Sequence, residues 1–192
     1  MTERSATVDY GFWLAWVVAT LLGFGISLFI VEIGEQPQSG PVQGFLGGVC
    51  VGAAQALVLR DRLYGAQRWL WGCALVWSLL GLTSIGAIGW FAPRSSFLAV
   101  RLVFGLLFGA SGGVLLGVVQ WVVLRGQVRL ARLWLALSPL TWSVSLALGW
   151  TLGGWLRQQS NLFLSEAIGL GLTWLLVAAI TGWALMGMLT EL

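Results

Sequence analysis

GFLGGVCVGAAQALVLRDRLYGAQRWLWGCALVWS (Gly44–Ser78) returns 65 residues later, without a gap, as GASGGVLLGVVQWVVLRGQVRLARLWLALSPLTWS (Gly109–Ser143). Of the 35 aligned positions, 15 are identical. The shared residues are not merely apolar. They include Gly48/Gly113, Gly52/Gly117, Gln55/Gln120, Arg60/Arg125, Trp69/Trp134 and the pair Trp77-Ser78/Trp142-Ser143. Self-similarity of this kind indicates that one helical unit was duplicated, an arrangement common in membrane proteins.

The composition around this repeat fixes the class. The chain of 192 residues is 58% hydrophobic and 9% charged, against about 25% charged residues in a soluble domain. A helix needs ~20 apolar residues to cross a bilayer. Six such runs are predicted, at Gly11–Val31, Pro41–Leu59, Trp69–Phe91, Phe97–Leu124, Leu133–Trp155 and Phe163–Leu189. Short connections leave no room for a soluble module, so residues 1–192 read as a single polytopic membrane domain. The run after Met1-Thr-Glu-Arg is too long for a signal-peptide core and lacks an A-x-A site, so it reads as an uncleaved first span. Cys50 and Cys73 fall inside predicted spans with no metal or redox spacing, as buried thiols of hydrophobic character.

Arginine sets the orientation, since lysine and histidine are absent. With a cytoplasmic N-terminus, Arg4, Arg60, Arg62, Arg68, Arg125, Arg129 and Arg132 lie inside, and Arg94, Arg101 and Arg157 outside. That distribution obeys the positive-inside rule. The first outer loop, Glu32–Gly40, carries Glu32 and Glu35 and no base. Six spans return the C-terminus to the cytoplasm. The net charge of +3 is thereby a topology signal and not a nucleic-acid footprint.

Two glycine ladders follow from the repeat. Gly40, Gly44, Gly48 and Gly52 run along span two; Gly105, Gly109, Gly113 and Gly117 run along span four at the same offset. Residues four apart share a helical face, so each ladder, a glycine zipper, offers a groove into which another backbone can pack. Gln55 and Gln120 continue the two faces, and a buried amide there needs a partner on an opposing helix. A weaker third copy is read near residues 142–190. Trp16, Trp77 and Trp142 each sit in the cytoplasmic half of an odd-numbered span, and the last span, with Ala178, Gly182 and Gly187, is a degraded relative of spans two and four that has no glutamine. The expectation is three pseudo-repeated hairpins, glycine-rich even helices inside and tryptophan-bearing odd helices outside.

Thirteen tryptophans divide by position. Trp13, Trp69, Trp71, Trp90, Trp121, Trp134, Trp150 and Trp155 fall near predicted interfaces, where indoles form belts. Trp77, Trp142, Trp174 and Trp183 lie deeper, either filling space or walling a site for a hydrophobic ligand. Ionisable residues avoid the midplane: Glu32, Arg101 and Glu166 all sit about one turn inside the outer boundary. They form the candidate outer-side polar site, with Arg101 paired to Glu166 or Glu32. Without histidine, lysine, H-E-x-x-H, clustered aspartates or a P-loop, no catalytic or metal site is indicated and the chain is expected not to be an enzyme. Any cofactor is left unspecified.

The pattern G-x-x-x-G-x-x-Q-[AW]-x-V-L-R, followed by A-x-x-W and W-S, resembles a group of uncharacterised small multi-pass proteins of cyanobacteria and related bacteria. That resemblance implies a prokaryotic inner or thylakoid membrane and brings no activity with it. A looser one, carried by six spans and Ala15-x-x-x-Ala19, is to the substrate-binding subunits of energy-coupling-factor vitamin transporters. Two function classes stay open. One is a non-enzymatic scaffold or accessory subunit, packing with lipids, pigments, other membrane proteins or further copies of itself. The other is a transport component holding a small solute in an outward pocket lined by Glu32, Arg101 and Glu166.

Overall fold

The computed structural model describes residues 9–33, 40–83 and 85–189, and within them the regular structure is helical. Six helices follow in order: α1 (Tyr10–Ser27), α2 (Pro41–Leu59), α3 (Gln67–Gly81), α4 (Leu98–Leu124), α5 (Trp134–Ser160) and α6 (Leu164–Leu189), with a 3-10 turn at Ala131–Leu133 before α5. Arg4, Glu35 and both chain ends lie outside the described residues.

Local chemistry sets the boundaries. Asp9 caps α1 by accepting the Phe12 amide at 3.0 Å, a side-chain acceptor for an otherwise orphaned N–H. The Arg62 guanidinium, hydrogen-bonded to the same carboxylate, and the Phe12 amide hold Asp9 below the usual carboxylate range. Pro41 opens α2, where its fixed φ fits and its missing N–H costs nothing. Asn161 ends α5 in the left-handed conformation.

Five of the six helices are long and apolar enough to cross a bilayer. The exception corrects the third predicted span. In place of Trp69–Phe91, α3 has 15 residues and stops at Gly81, a length of roughly 22 Å against a hydrocarbon core of ~30 Å. The chain then turns back, with Gly86 at φ 69°. Ala87, Ile88 and Trp90 are 0% exposed. The apolar run that reads as one span is a short helix followed by a buried, non-helical plug.

The helices form a closed ring. Each packs on its neighbours in the chain, and α6 closes onto α1. No helix occupies the centre, so the expected division into inner even and outer odd helices does not hold. Tryptophans fill the centre instead. Trp16, Trp69 and Trp134 meet edge to face at 5.8 and 5.9 Å between ring centroids. Farther along, Trp77 meets Trp90 at 4.9 Å and Trp142 at 5.2 Å, and Trp142 meets Trp174 at 5.1 Å. Phe24 stacks on Trp174, and Trp150 is tilted against Phe91. The edge-on tryptophan–tryptophan pairs suit the aromatic quadrupole. The outward faces carry aliphatic side chains, among them Leu14, Leu22, Leu107, Val114, Val118 and Leu140, which suits a lipid environment.

Glycines make room for the plug. A Cβ on Gly47 would stand 2.5 Å from the Trp90 ring, and one on Gly112 2.6 Å from Ile88 Cδ1. These two positions are related by the same offset of 65. We expect Gly47→Ala to cost about 1–3 kcal/mol by overpacking, and Gly112→Ala to cost less, because Ile88 Cδ1 is the end of a flexible side chain. Gly25→Ala, with nothing within 4 Å of its Cβ, leaves stability unchanged or improved. Thermal denaturation of the three variants in detergent checks this ordering.

Candidate functional site

The two ladders face the next helix in the chain. A Cβ on Gly44 would run into the Trp77 carbonyl of α3, and one on Gly109 into the Trp142 carbonyl of α5. Gly48 lies against Ala74 and Gly113 against Pro139, with hypothetical Cβ distances of 2.8 and 2.5 Å to Cα. Gly52 abuts Leu70, Gly117 abuts Ser138, and Gly105 abuts Ala147. With backbones this close, the side chains that follow on the same faces come into register.

Those side chains are the glutamines. Gln55 Oε1 accepts the Trp69 indole N–H at 2.9 Å, and its Nε2 donates to Thr20 Oγ1 at 3.1 Å. Gln120 Oε1 accepts the Trp134 indole N–H, also at 2.9 Å, and its Nε2 donates to Cys73 Sγ at 3.5 Å. A third indole, Trp16, donates to Thr181 Oγ1 at 3.0 Å between α1 and α6. Each bond ties one even helix to one odd helix. Away from water, a membrane hydrogen bond is worth about 0.6–2 kcal/mol. Trp69 and Trp134, which their positions suggest as belt residues, are 0% exposed, their rings packed on one another and their donors committed to these amides.

At the plug, indoles again supply the donors. Trp174 Nε1 donates to the Gly89 carbonyl at 3.1 Å, and Trp150 Nε1 to the Phe91 carbonyl at 2.9 Å. Trp90 Nε1 donates to Ser27 Oγ at 2.7 Å. Trp90 and Trp150 are therefore core residues and not belts, whereas Trp71, Trp155 and Trp183 are exposed. Sequence reasoning missed Ser27, Gly47, Gly89 and Gly112. The identity of Gly47 and Gly112 off the ladder faces was the available signal.

At the end of the bundle beside the plug, Arg101 and Glu166 meet. The pair is bidentate, with Nη1 to Oε2 at 2.8 Å and Nη2 to Oε1 at 2.7 Å. Arg101 also donates to the Ser95 and Trp150 carbonyls, at 2.7 and 3.1 Å. Arg157 approaches the same carboxylate at 3.6 Å. Both partners of the central pair are buried, at 3% and 1% exposure. The structure thus brings together Arg101 and Glu166 of the three expected residues; Glu32 is exposed and stands apart from the pair.

Two spaces belong to this interior. At the centre, all six helices enclose a void of about 20 Å³ bordered by Gln55, Cys73, Gln120 and the tryptophans. One water needs roughly 10–15 Å³ on this measure, while ligand pockets run to hundreds. The second is an open recess of about 340 Å³ beside the ion pair, lined by Arg94, Ser95, Arg101, Arg157, Gln158 and Asn161. Among the described residues no cluster of three or more histidine, cysteine or carboxylate side chains is placed to hold a metal. No protein-family model, curated protein or solved structure matches the chain.

Breaking a buried ion pair by removing one partner leaves an uncompensated charge, a loss of about 3–5 kcal/mol. Arg101→Ala and Glu166→Ala should each lower the melting temperature in detergent substantially. The double variant should lose less than the sum of the two. Unchanged melting of either single variant would remove the pair from the structural framework.

Proposed function

We propose that this chain is a non-enzymatic integral membrane scaffold or accessory subunit, packing with partner membrane proteins, lipids or pigments. The observation that carries this reading is the filled interior. Indoles occupy the ring, leaving about 20 Å³ at its centre, and the buried charges are consumed by one another. What the molecule offers its surroundings is its outer surface, which is apolar along the helices. Among the described residues no acidic or basic side chain lines the central void to couple ion movement, which also weighs against a self-contained transporter.

The membrane we assign is the prokaryotic cytoplasmic or thylakoid membrane, with the N-terminus in the cytoplasm, on the arginine distribution and the resemblance given above. We further assign the two 35-residue stretches to a duplicated hairpin. In support, the bonds Trp69–Gln55 and Trp134–Gln120 have the same atoms and the same length. The Trp16–Thr181 bond between α6 and α1 supports a third, diverged unit that closes the ring. It would pair Trp16 with Trp69 and Trp134, in place of the match to Trp77 and Trp142 that spacing alone suggests.

A second reading has one observation in its favour. A substrate-binding subunit of a vitamin-type transporter would hold its solute in the recess of about 340 Å³ beside Arg101, a volume within the range of ligand sites. Purification from native membrane in mild detergent, with mass spectrometry of co-purifying proteins and extracted small molecules, separates the two. The scaffold reading expects membrane proteins, pigment or lipid in fixed ratio and no ATPase. An ATPase pair with a coupling membrane subunit would establish the transporter instead.

A further inference from the structure

At the end of the bundle where α3 and α5 begin, the connection from α4 to α5 encloses a recess of about 410 Å³. Arg125, Arg129 and Arg132 line it, together with Trp121 from the last turns of α4. All three arginines are exposed, and among the described residues none forms an ion pair. Arg125 lies over the Trp121 ring, 5.2 Å from its centroid. The indole Nε1 of Trp121 is buried and has no hydrogen-bond acceptor. A buried donor left without a partner is uncommon and costs free energy.

The corresponding connection between α2 and α3 provides an internal comparison. There Arg60 is paired with Asp61 at 3.7 Å, and Arg62 with Asp9. At the offset of 65, Asp61 becomes Gly126, Tyr64 becomes Arg129, Gln67 becomes Arg132 and Ala56 becomes Trp121. The second loop keeps three arginines, with Gln127 and Leu133 standing where the first has Arg62 and Arg68, but it has lost the acid that pairs with Arg60 and gained an indole. Its backbone is held in place: Gln127 accepts the Tyr64 amide at 2.7 Å and donates to the Tyr64 and Val123 carbonyls.

From this geometry we propose that the Trp121–Arg125–Arg129–Arg132 recess binds the phosphate-bearing headgroup of an anionic membrane phospholipid. Three guanidiniums without counter-charge supply donors matched to phosphate oxygens, and the idle indole N–H requires an acceptor. Leu130 and Leu133 on the rim are exposed, as are Val118 and Val122 on the lipid-facing side of α4, giving acyl chains an apolar path away from the site. The inference needs only that the bundle lies in a membrane, so it stands or falls separately from the scaffold reading.

The test uses the full chain in nanodiscs made from equal amounts of phosphatidylglycerol and phosphatidylcholine, released for native mass spectrometry. Wild type should retain phosphatidylglycerol selectively. One arginine near an anionic lipid surface is worth roughly fivefold in affinity. Arg129→Gln should therefore lower the retained ratio roughly fivefold, and replacing all three arginines by glutamine on the order of a hundredfold. Trp121→Phe, which keeps a ring and removes the donor, should weaken retention. Arg60→Gln in the first loop should not. Retention without preference for phosphatidylglycerol, or an equal loss from Arg60→Gln and Arg129→Gln, would overturn the site. Displacement of the lipid by millimolar inorganic phosphate would overturn the phospholipid assignment in favour of a free anion. Should the triple variant fail to fold, the single substitution at exposed Arg129 decides the question.

Discussion

A stretch of non-helical backbone sits inside this bundle, and the rest of the interior follows from the need to satisfy it. Within a bilayer, peptide groups that are not in a helix have no water to bond, so such a stretch survives only when buried against protein donors and acceptors. Here the donors are indoles. Trp174 and Trp150 reach the Gly89 and Phe91 carbonyls, and Trp90 reaches back to Ser27. A tryptophan offers one donor on a large apolar body, so the same side chain fills the ring and bonds the plug. Leucine could do the first and not the second. This dual requirement explains why so many tryptophans are fully buried in a small chain.

The glycines act one step earlier. By letting α2 approach α3 and α4 approach α5 at backbone distance, they bring Gln55 opposite Trp69 and Gln120 opposite Trp134. Close packing and the hydrogen bonds therefore form one linked unit, in which contact area substitutes for the hydrophobic drive that lipid does not provide. Off those faces, Gly47 and Gly112 admit the Trp90 ring and Ile88 from the plug. The Arg101–Glu166 pair closes the same end of the ring, where it also holds the Ser95 carbonyl in the segment leading to α4.

Much of this could be read in the residues, and the exceptions share a physical cause. Five helices fall within a few residues of the runs predicted from hydropathy, because length and apolarity are what crossing a bilayer demands. Depth alone offered Arg101 either Glu166 or Glu32 as a partner, and it is Glu166 that the fold brings to it. The end of α3 could not be read, because LTSIGAIGWFA is as apolar as a span. Only Gly81, Gly86 and Gly89, with Thr83, hint that it leaves the helix. Burial of Trp69, Trp90, Trp134 and Trp150 was likewise hidden, since a tryptophan near a span end suits an interface as well as a core. For Trp69 and Trp134, recurrence opposite Gln55 and Gln120 at a fixed spacing of 14 residues was the discriminating feature.

Whether the plug closes the ring is most directly tested by thiol accessibility. With Cys50 and Cys73 replaced by alanine, Ala87→Cys and Ser96→Cys would be introduced separately and exposed in intact membrane to a membrane-impermeant maleimide from either side. Ala87 is 0% exposed inside the bundle and Ser96 lies outside it in the open. A closed, indole-bonded plug predicts no labelling at position 87 from either side, with rapid labelling at position 96. Comparable labelling at the two positions would mean that water reaches the centre of the ring, contradicting the filled interior on which the scaffold reading rests.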